Sequence, residues 1–289
     1  MAVTKLKEVE FTSTNVIDRS IVKKRDIILK VIVYAISIGL AVITLYPFLM
    51  MLVDFTGFKM SNPAHVFKIL SQRGNELVKF FVSRNVIGFI NSVIITAGST
   101  ILNVYFSAMT AYSITAYNWK FRKIFSNFIV ALMMIPTVVA SSGFIHLVYK
   151  FGLTNKLIIL ILPSIATPIS VVFMRLYLEA AFSMELVYSA RIDGAGEFRI
   201  FNKIVLPIMK PAIATQAIFA VVSSWTDMFL PMVLLTEPNK HTLPIAMILN
   251  LAFGERTVPI FVSVIPIVIV YLLLARHIVE GVQLGSIKL

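Results

Sequence analysis

The chain of 289 residues has no cysteine, which excludes disulfides and thiolate metal centres. No glycine is followed by lysine anywhere, so the phosphate-cradling G-x-x-x-x-G-K-[ST] loop is missing and the chain is not itself an ATPase of that kind. His65, His146, His241 and His277 stand apart, without the spacing of a metal site or a catalytic pair. Charge is scarce at 14%, and acidic residues are scarcer than basic ones, 14 against 26. The lysines and arginines are scattered and form no basic surface interleaved with aromatics, which excludes a nucleic-acid partner.

What fills the chain instead is apolar: 58% of its residues are hydrophobic and the mean hydropathy is +0.89. That is too apolar for one soluble domain and long enough for several membrane spans. Uncharged runs long enough to cross a bilayer cover Val31–Val53, Val86–Tyr117, Ile124–Tyr149, Leu157–Met174 and Thr257–Ala275, and Ala212–Leu235 joins them if Asp227 is tolerated inside it. The expected fold class is therefore all-α, a polytopic membrane protein of six transmembrane helices. Residues 1–30 form a polar N-terminal segment and 31–289 a single membrane domain. The first apolar run is too long for a signal-peptide core and has no small-residue cleavage site near Tyr46-Pro47, so it stays as an uncleaved helix.

Orientation follows the lysines and arginines. Seventeen fall on the side of the two termini and of residues 175–210, and nine on the other. Both termini and that loop are expected to be cytoplasmic, with the +12 net charge facing anionic lipid headgroups. Pro47, Pro136, Pro163, Pro168, Pro231 and Pro266 sit in or at the ends of the runs. Each is a candidate kink, since proline removes a backbone donor.

One polar, charge-balanced island interrupts this pattern, Tyr188–Pro211, YSARIDGAGEFRIFNKIVLPIMKP. Arg191–Asp193 would close a helix and Gly194 end it in the left-handed conformation. A second, amphipathic helix is expected over Glu197–Leu206, with Phe198, Phe201, Ile204 and Val205 on one face and Pro207 and Pro211 stopping it. A helix, a glycine turn and a short amphipathic helix make a compact docking element.

These residues resemble the cytoplasmic signature of importer-type ATP-binding-cassette permeases, E-A-A, three residues, G, nine residues, I-x-L-P. Here it runs Tyr188-Ser189-Ala190, Gly194, then Ile204, Leu206 and Pro207, with Tyr188 in place of the family's glutamate and Ser189 in place of its first alanine. The runs Ala190–Ala195, Arg199–Phe201 and Ile204–Pro207 resemble the maltose-type carbohydrate permeases in particular. Further landmarks of that group recur in order, among them Asn91-Ser92, Met134-Ile135-Pro136, Ser224-Trp225 with Asp227, and Thr242-Leu243-Pro244. Glu179-Ala180-Ala181 is a decoy, because Glu185 stands where the glycine belongs.

The resemblance implies a sugar or oligosaccharide import subunit in the cell membrane of a prokaryote, not an enzyme and holding no cofactor of its own. Its implied partners are a second, homologous permease, two ATPase subunits that bind ATP-Mg, and an extracytoplasmic solute-binding protein. It makes Tyr188, Ser189, Ala190, Arg191, Asp193, Gly194, Glu197, Phe198, Arg199 and Phe201 the ATPase-docking residues, with Phe198 and Phe201 as apolar anchors. An importer of a non-sugar solute would carry the same signature. An ion-coupled secondary transporter would need a coupling-ion pathway, for which one intramembrane acid is meagre.

That acid, Asp227, is by its depth a functional candidate. Trp225 beside it suits stacking on a sugar ring. The competing role for Asp227 is a structural hydrogen bond at the break before Pro231. Asn91, Ser92 and Asn103 either line the solute path or join neighbouring helices by hydrogen bonds.

Overall fold

A computed structural model describes residues 18–56, 63–83, 85–250 and 257–286, which are helical with no strand among them. They divide into two compact units, Met1–Ser71 and Gln72–Leu289. In the first unit, α1 (Asp18–Thr56) runs unbroken across position 30, and its stretch Leu29–Thr56 is apolar enough to cross a membrane. Residues 1–17 of the polar N-terminal segment lie outside the described residues. Thr44 and Thr56 return their hydroxyls to the helix's own carbonyls, those of Leu40 and Leu52, at 2.9 and 2.8 Å, so neither leaves a bare donor.

Next in the chain is α2 (Pro63–Val82), a helix of 20 residues. The second unit is built around α3 (Asn85–Ala116), a helix of 32 residues. Its buried face steps through Ser92, Ile95, Ser99, Asn103, Ser107 and Ala111, spacings of three and four that make one stripe. The stripe is small and polar, which lets other helices approach closely. A Cβ on Gly98 would stand only 3.0 Å from a methyl of Ile161, so the glycine is what admits that neighbour.

Three further segments are bent. α4 (Arg122–Leu132) and α5 (Thr137–Lys150) meet at 97°, so Ile124–Tyr149 is not the continuous span its composition suggested. Pro136, in extended backbone immediately before α5, is the cause: it has no amide proton to give α4 and starts the new helix. α6 (Ile158–Ile161), prolonged by a 3-10 turn over Leu162–Ala166, meets α7 (Pro168–Ala181) at 42°, with Pro163 and Pro168 at the join. α8 (Met184–Ile192) then leads to α9 (Glu197–Ile200), a π turn over Phe201–Val205 and α10 (Leu206–Ile208), which meet α11 (Lys210–Thr226) at 80°. The amphipathic helix therefore runs past Pro207, and the turn falls at Met209. The wider π turn sits immediately before Pro207, where the missing amide proton would have closed an ordinary α-helical bond.

α11 stops at Asp227, whose backbone is extended, and α12 (Phe229–Leu234) starts afresh, so Ala212–Leu235 is also two pieces. A 3-10 turn, Pro238–Lys240, leads to α13 (Leu243–Asn250), and α14 (Thr257–Ser286) ends the described chain. Among the described residues, three helices are long and apolar enough to cross a membrane, and up to six spans result if each bent pair is one. α11 packs on α3 and α14, while α7 packs on α3.

Candidate functional site

The polar island folds as its spacing requires. Ser183 opens α8 by accepting a hydrogen bond from the Glu185 amide at 3.3 Å. At the other end, the Ala195 amide donates to the Ala190 carbonyl at 2.9 Å and the Gly194 amide to that of Arg191 at 3.0 Å. This pair of bonds is a Schellman cap, and it needs the left-handed Gly194, whose φ is +78°. Ala190 and Ala195 both join the apolar cluster beneath the turn.

Beyond the turn, the inner face of α9 and the π turn is riveted to the last turns of α3. Ile200, Phe201 and Val205 are buried with Val104, Ala108 and Tyr112. Phe201 stacks on Tyr112 with ring centres 5.7 Å apart and meets Tyr105 edge-on at 5.6 Å. Glu197 accepts from the Arg191 guanidinium at 2.6 Å, from the Tyr117 hydroxyl at 2.5 Å and from the Tyr112 hydroxyl at 3.5 Å. Arg191 in turn lies over the rings of Tyr117 and Tyr188 at 5.5 and 5.9 Å. The hydrogen bonds from Arg191 and Tyr117 hold the Glu197 carboxyl below its ordinary range. Burial, and then the bond to Glu197, push the Tyr117 phenol up. Arg191 and Glu197 thus stitch α8 across the glycine turn to α9 and both of them to α3. Tyr188, where the family has glutamate, adds a ring to the arginine in place of a carboxylate.

This sorting divides the expected docking set between interior and surface. Phe201 is 3% exposed and Ala190 8%, so both belong to the interior of this chain. Phe198, by contrast, is 72% exposed, and Ser189, Asp193, Gly194 and Arg199 are also on the surface. Ile192, which the sequence reading passed over, is 86% exposed. The signal that marks it is an apolar side chain directly ahead of Asp193-Gly194, where the helix ends.

A second site lies in mid-bundle, a cavity of about 530 Å³ between α3, α5, the α6–α7 bend, α11 and α12. Ser92, Ser99 and Asn103 supply one wall from the stripe on α3, and Ser170 and Gln216 bridge α7 to α11 through a 2.6 Å hydrogen bond. Asp227 is the one charged residue of its lining, and its Oδ1 accepts from the Phe229 amide at 3.0 Å. Asp227 is thereby both the group that restarts the chain as α12 and a wall of the cavity.

Asn91 does not reach this cavity; its amide donates to the carbonyls of Asn239 and His241 at 3.0 and 2.9 Å. Ser92 accepts from the Leu243 amide at 2.9 Å while also lining the cavity. Trp225 is 4% exposed, donates to the Ser263 carbonyl at 3.0 Å and packs edge-on against Phe89. It ties α11 to α14 and is not part of the cavity wall. Ser99, Ser170 and Gln216 escaped the sequence reading. The signal available was the polar stripe on α3 continued past Ser92.

A bundle of broken apolar helices, with a polar compartment inside and a rigid capped loop at its edge, defines a membrane transport subunit. The chain belongs to the family described as binding-protein-dependent transport system inner membrane component, which residues 103–283 match. The arabinooligosaccharides transport system permease protein AraQ of Halalkalibacterium halodurans is 34% identical over 205 residues, 69% of this chain and 73% of that protein. The melibiose/raffinose/stachyose import permease protein MelC of Bacillus subtilis is 30% identical over 209 residues, 69% of this chain and 75% of that one. Among solved structures, a bacterial ABC transporter involved in the import of the acidic polysaccharide alginate has a chain that superposes with a TM-score of 0.69 and 24% identity, covering 87% of this chain and 97% of its own. The protein is thus a multi-pass permease subunit of an ATP-binding-cassette importer, a transport component and not an enzyme.

Proposed function

We propose that the chain carries a sugar or oligosaccharide across the inner membrane of a prokaryote, paired with a second, homologous permease and driven by two ATPase subunits. An extracytoplasmic solute-binding protein delivers the solute. The oligosaccharide relatives support the solute class, and the excess of lysine and arginine supports cytoplasmic termini and a cytoplasmic loop. The observation that carries the coupling role is the Schellman-capped loop, fixed to α3 by Glu197 and Phe201, which presents Ile192, Phe198 and Arg199 outward.

In this reading the outward residues seat in a groove of the ATPase. Closure of the ATPase pair on ATP-Mg carries the loop with it and opens the bundle to the outside, and hydrolysis reverses the motion. An aromatic anchor removed from such a seat costs at least about 2 kcal/mol, roughly thirtyfold in affinity. Phe198→Ala is therefore expected to strip the ATPase from the purified assembly and abolish uptake into proteoliposomes, with membrane insertion unchanged. Uptake and ATPase retention equal to wild type would refute the docking role.

A further inference from the structure

Where α3 gives way to α4, the stretch from Tyr117 to Leu132 carries three cations, Lys120, Arg122 and Lys123, and no acid. Both lysines are exposed, while Arg122 is partly buried and its Nη1 donates to the Tyr117 carbonyl at 3.4 Å. None of the three belongs to an ion pair among the described residues. The carboxylates beside them are already engaged: Glu179 of α7 by Arg175 at 2.7 Å, and Glu197, which Tyr117 also bonds, by Arg191 at 2.6 Å. Arg175 reaches α4 itself, donating to Ser126, so the neighbouring helix brings a further cation to this corner.

The same corner is apolar and aromatic. Phe121, Ile124, Phe125 and Phe128 follow at spacings of three, one and three, which sets them along one side of α4. All four are exposed, and Phe121, Ile124 and Phe128 are more than half so. The opposite side of α4 is the one that packs: Ser126 and Ile129 are buried, and Ile129 clusters with Ile114 of α3 and Val171 of α7. Trp119 leans on Phe125 with ring centres 5.7 Å apart, donates its indole N–H to the Ser113 carbonyl at 3.4 Å, and takes the Arg122 amide on its own carbonyl at 3.1 Å. These bonds close the turn without the lysine ammonium groups, which stay outside it.

Tryptophan beside lysine and arginine is the composition of a membrane–water boundary. A soluble anion would match the cations alone and a neutral lipid the ridge alone, whereas an amphiphile with an anionic head matches both. The length agrees: α4, of eleven residues, is about 16 Å long at 1.5 Å per residue, close to half of a hydrocarbon core of about 30 Å. We propose that this corner binds an anionic phospholipid, its phosphate between Lys120 and Lys123 and an acyl chain along Ile124 and Phe128. The assignment of that lipid to the cytoplasmic leaflet rests on the orientation proposed above. The site adjoins the docking loop through Tyr117, whose carbonyl takes Arg122 and whose hydroxyl bonds Glu197.

The test uses the permease assembly purified with its ATPase, titrated with phosphatidylglycerol or with phosphatidylcholine of the same acyl chains and read by native mass spectrometry. Phosphatidylglycerol is expected to bind about tenfold more tightly than phosphatidylcholine. Lys120→Gln with Lys123→Gln is expected to weaken phosphatidylglycerol about tenfold to thirtyfold and to leave phosphatidylcholine within about twofold. Ile124→Ser should weaken both lipids, about threefold. Lys150→Gln with Lys156→Gln, an exposed lysine pair elsewhere in the unit, should leave both within about twofold. Because the chain has no cysteine, Asn118→Cys in the exposed turn reports the leaflet; it is expected to react with a membrane-impermeant maleimide only after cells are opened.

Equal weakening of phosphatidylglycerol by the two lysine pairs would overturn the site, since net charge alone would then account for it. Displacement of the lipid by inorganic phosphate, with no loss in Ile124→Ser, would assign the cations to a free anion and overturn it too. Loss of a second permease from the Lys120→Gln, Lys123→Gln assembly would make this surface a protein contact and do the same. If Asn118→Cys is labelled from outside intact cells while selective binding persists, the lipid site stands and the cytoplasmic orientation falls. If it is shielded and binding is unselective, the orientation stands and the site falls.

Discussion

The loop at the edge of the bundle and the cavity inside it treat polar groups in opposite ways. In the loop, Glu197 takes three donors, Arg191 has a carboxylate and two rings, and the turn's amides are closed by a Schellman cap. Along the α3 wall beside the cavity, Asn103, Thr242 and Ser107 keep buried oxygens without a partner among the described residues. A satisfied network holds one geometry, whereas an unsatisfied one costs stability until something else supplies the missing bond. The first arrangement suits a part that must transmit displacement without deforming, and the second a wall whose partners can change.

The largest expected effect that sharpens this contrast comes from the loop's two phenylalanines. Phe201→Ala removes a buried ring and is expected to cost about 3–5 kcal/mol in thermal unfolding of the purified subunit. Phe198→Ala should stay within about 0.5 kcal/mol in the same measurement, since its ring is exposed. Equal losses would mean that the two rings are not divided between interior and surface.

A smaller effect, of opposite sign, is expected in the cavity. Asn103→Leu replaces an unmatched amide with an apolar side chain of similar size and is expected to stabilise the subunit by about 1 kcal/mol. Thermal unfolding of the purified subunit reads this, and an equal or lower stability would show that the oxygen is already satisfied.

The smallest effect concerns pH. Glu197 has its folded-state pKa depressed, so its contribution is complete above the ordinary carboxylate range and is lost as pH falls through the lower, folded value. The Arg191 pair is largely exposed, which limits the contribution to under about 1 kcal/mol. Glu197→Gln is expected to flatten this part of the acid limb of a melting-temperature profile while keeping an oxygen for Tyr117. A profile unchanged by the substitution would show that the carboxylate's charge contributes nothing.

How much of this the sequence disclosed depended on whether the deciding contact was local. The Gly194 turn was legible because its geometry is set by neighbours within five residues, and so was the apolar character of α3 and α14. The partition of Phe198 from Phe201 was not. Their spacing of three places them on one face of an isolated helix, but the buried stripe is centred on Ile200, Phe201 and Val205, which leaves Phe198 at its flank. Glu197 disguised that centre. It is a half-exposed charged residue at the edge of that face, and its bonds to Tyr112 and Tyr117 come from outside the local pattern. Asp227 was visible as an unusual acid, but Gln216 and Ser170 acquire meaning only when α7 and α11 are side by side. Trp225 misled for the same reason, since its partner carbonyl comes from Ser263 on α14.

The 80° turn at Met209 gives the loop mechanical leverage. The short helix and α11 form an elbow whose corner, Met209, is fully buried and whose inner side is filled by Val205 and Ala212. A stiff elbow near a right angle converts a push along one arm into a sideways sweep of the other. Here the swept arm is α11, which bears Gln216, Ser223 and Ser224 on the cavity wall and ends at Asp227. In the coupling proposed above, a small thrust at the edge of the bundle is delivered, like a crank stroke, to the wall of that cavity.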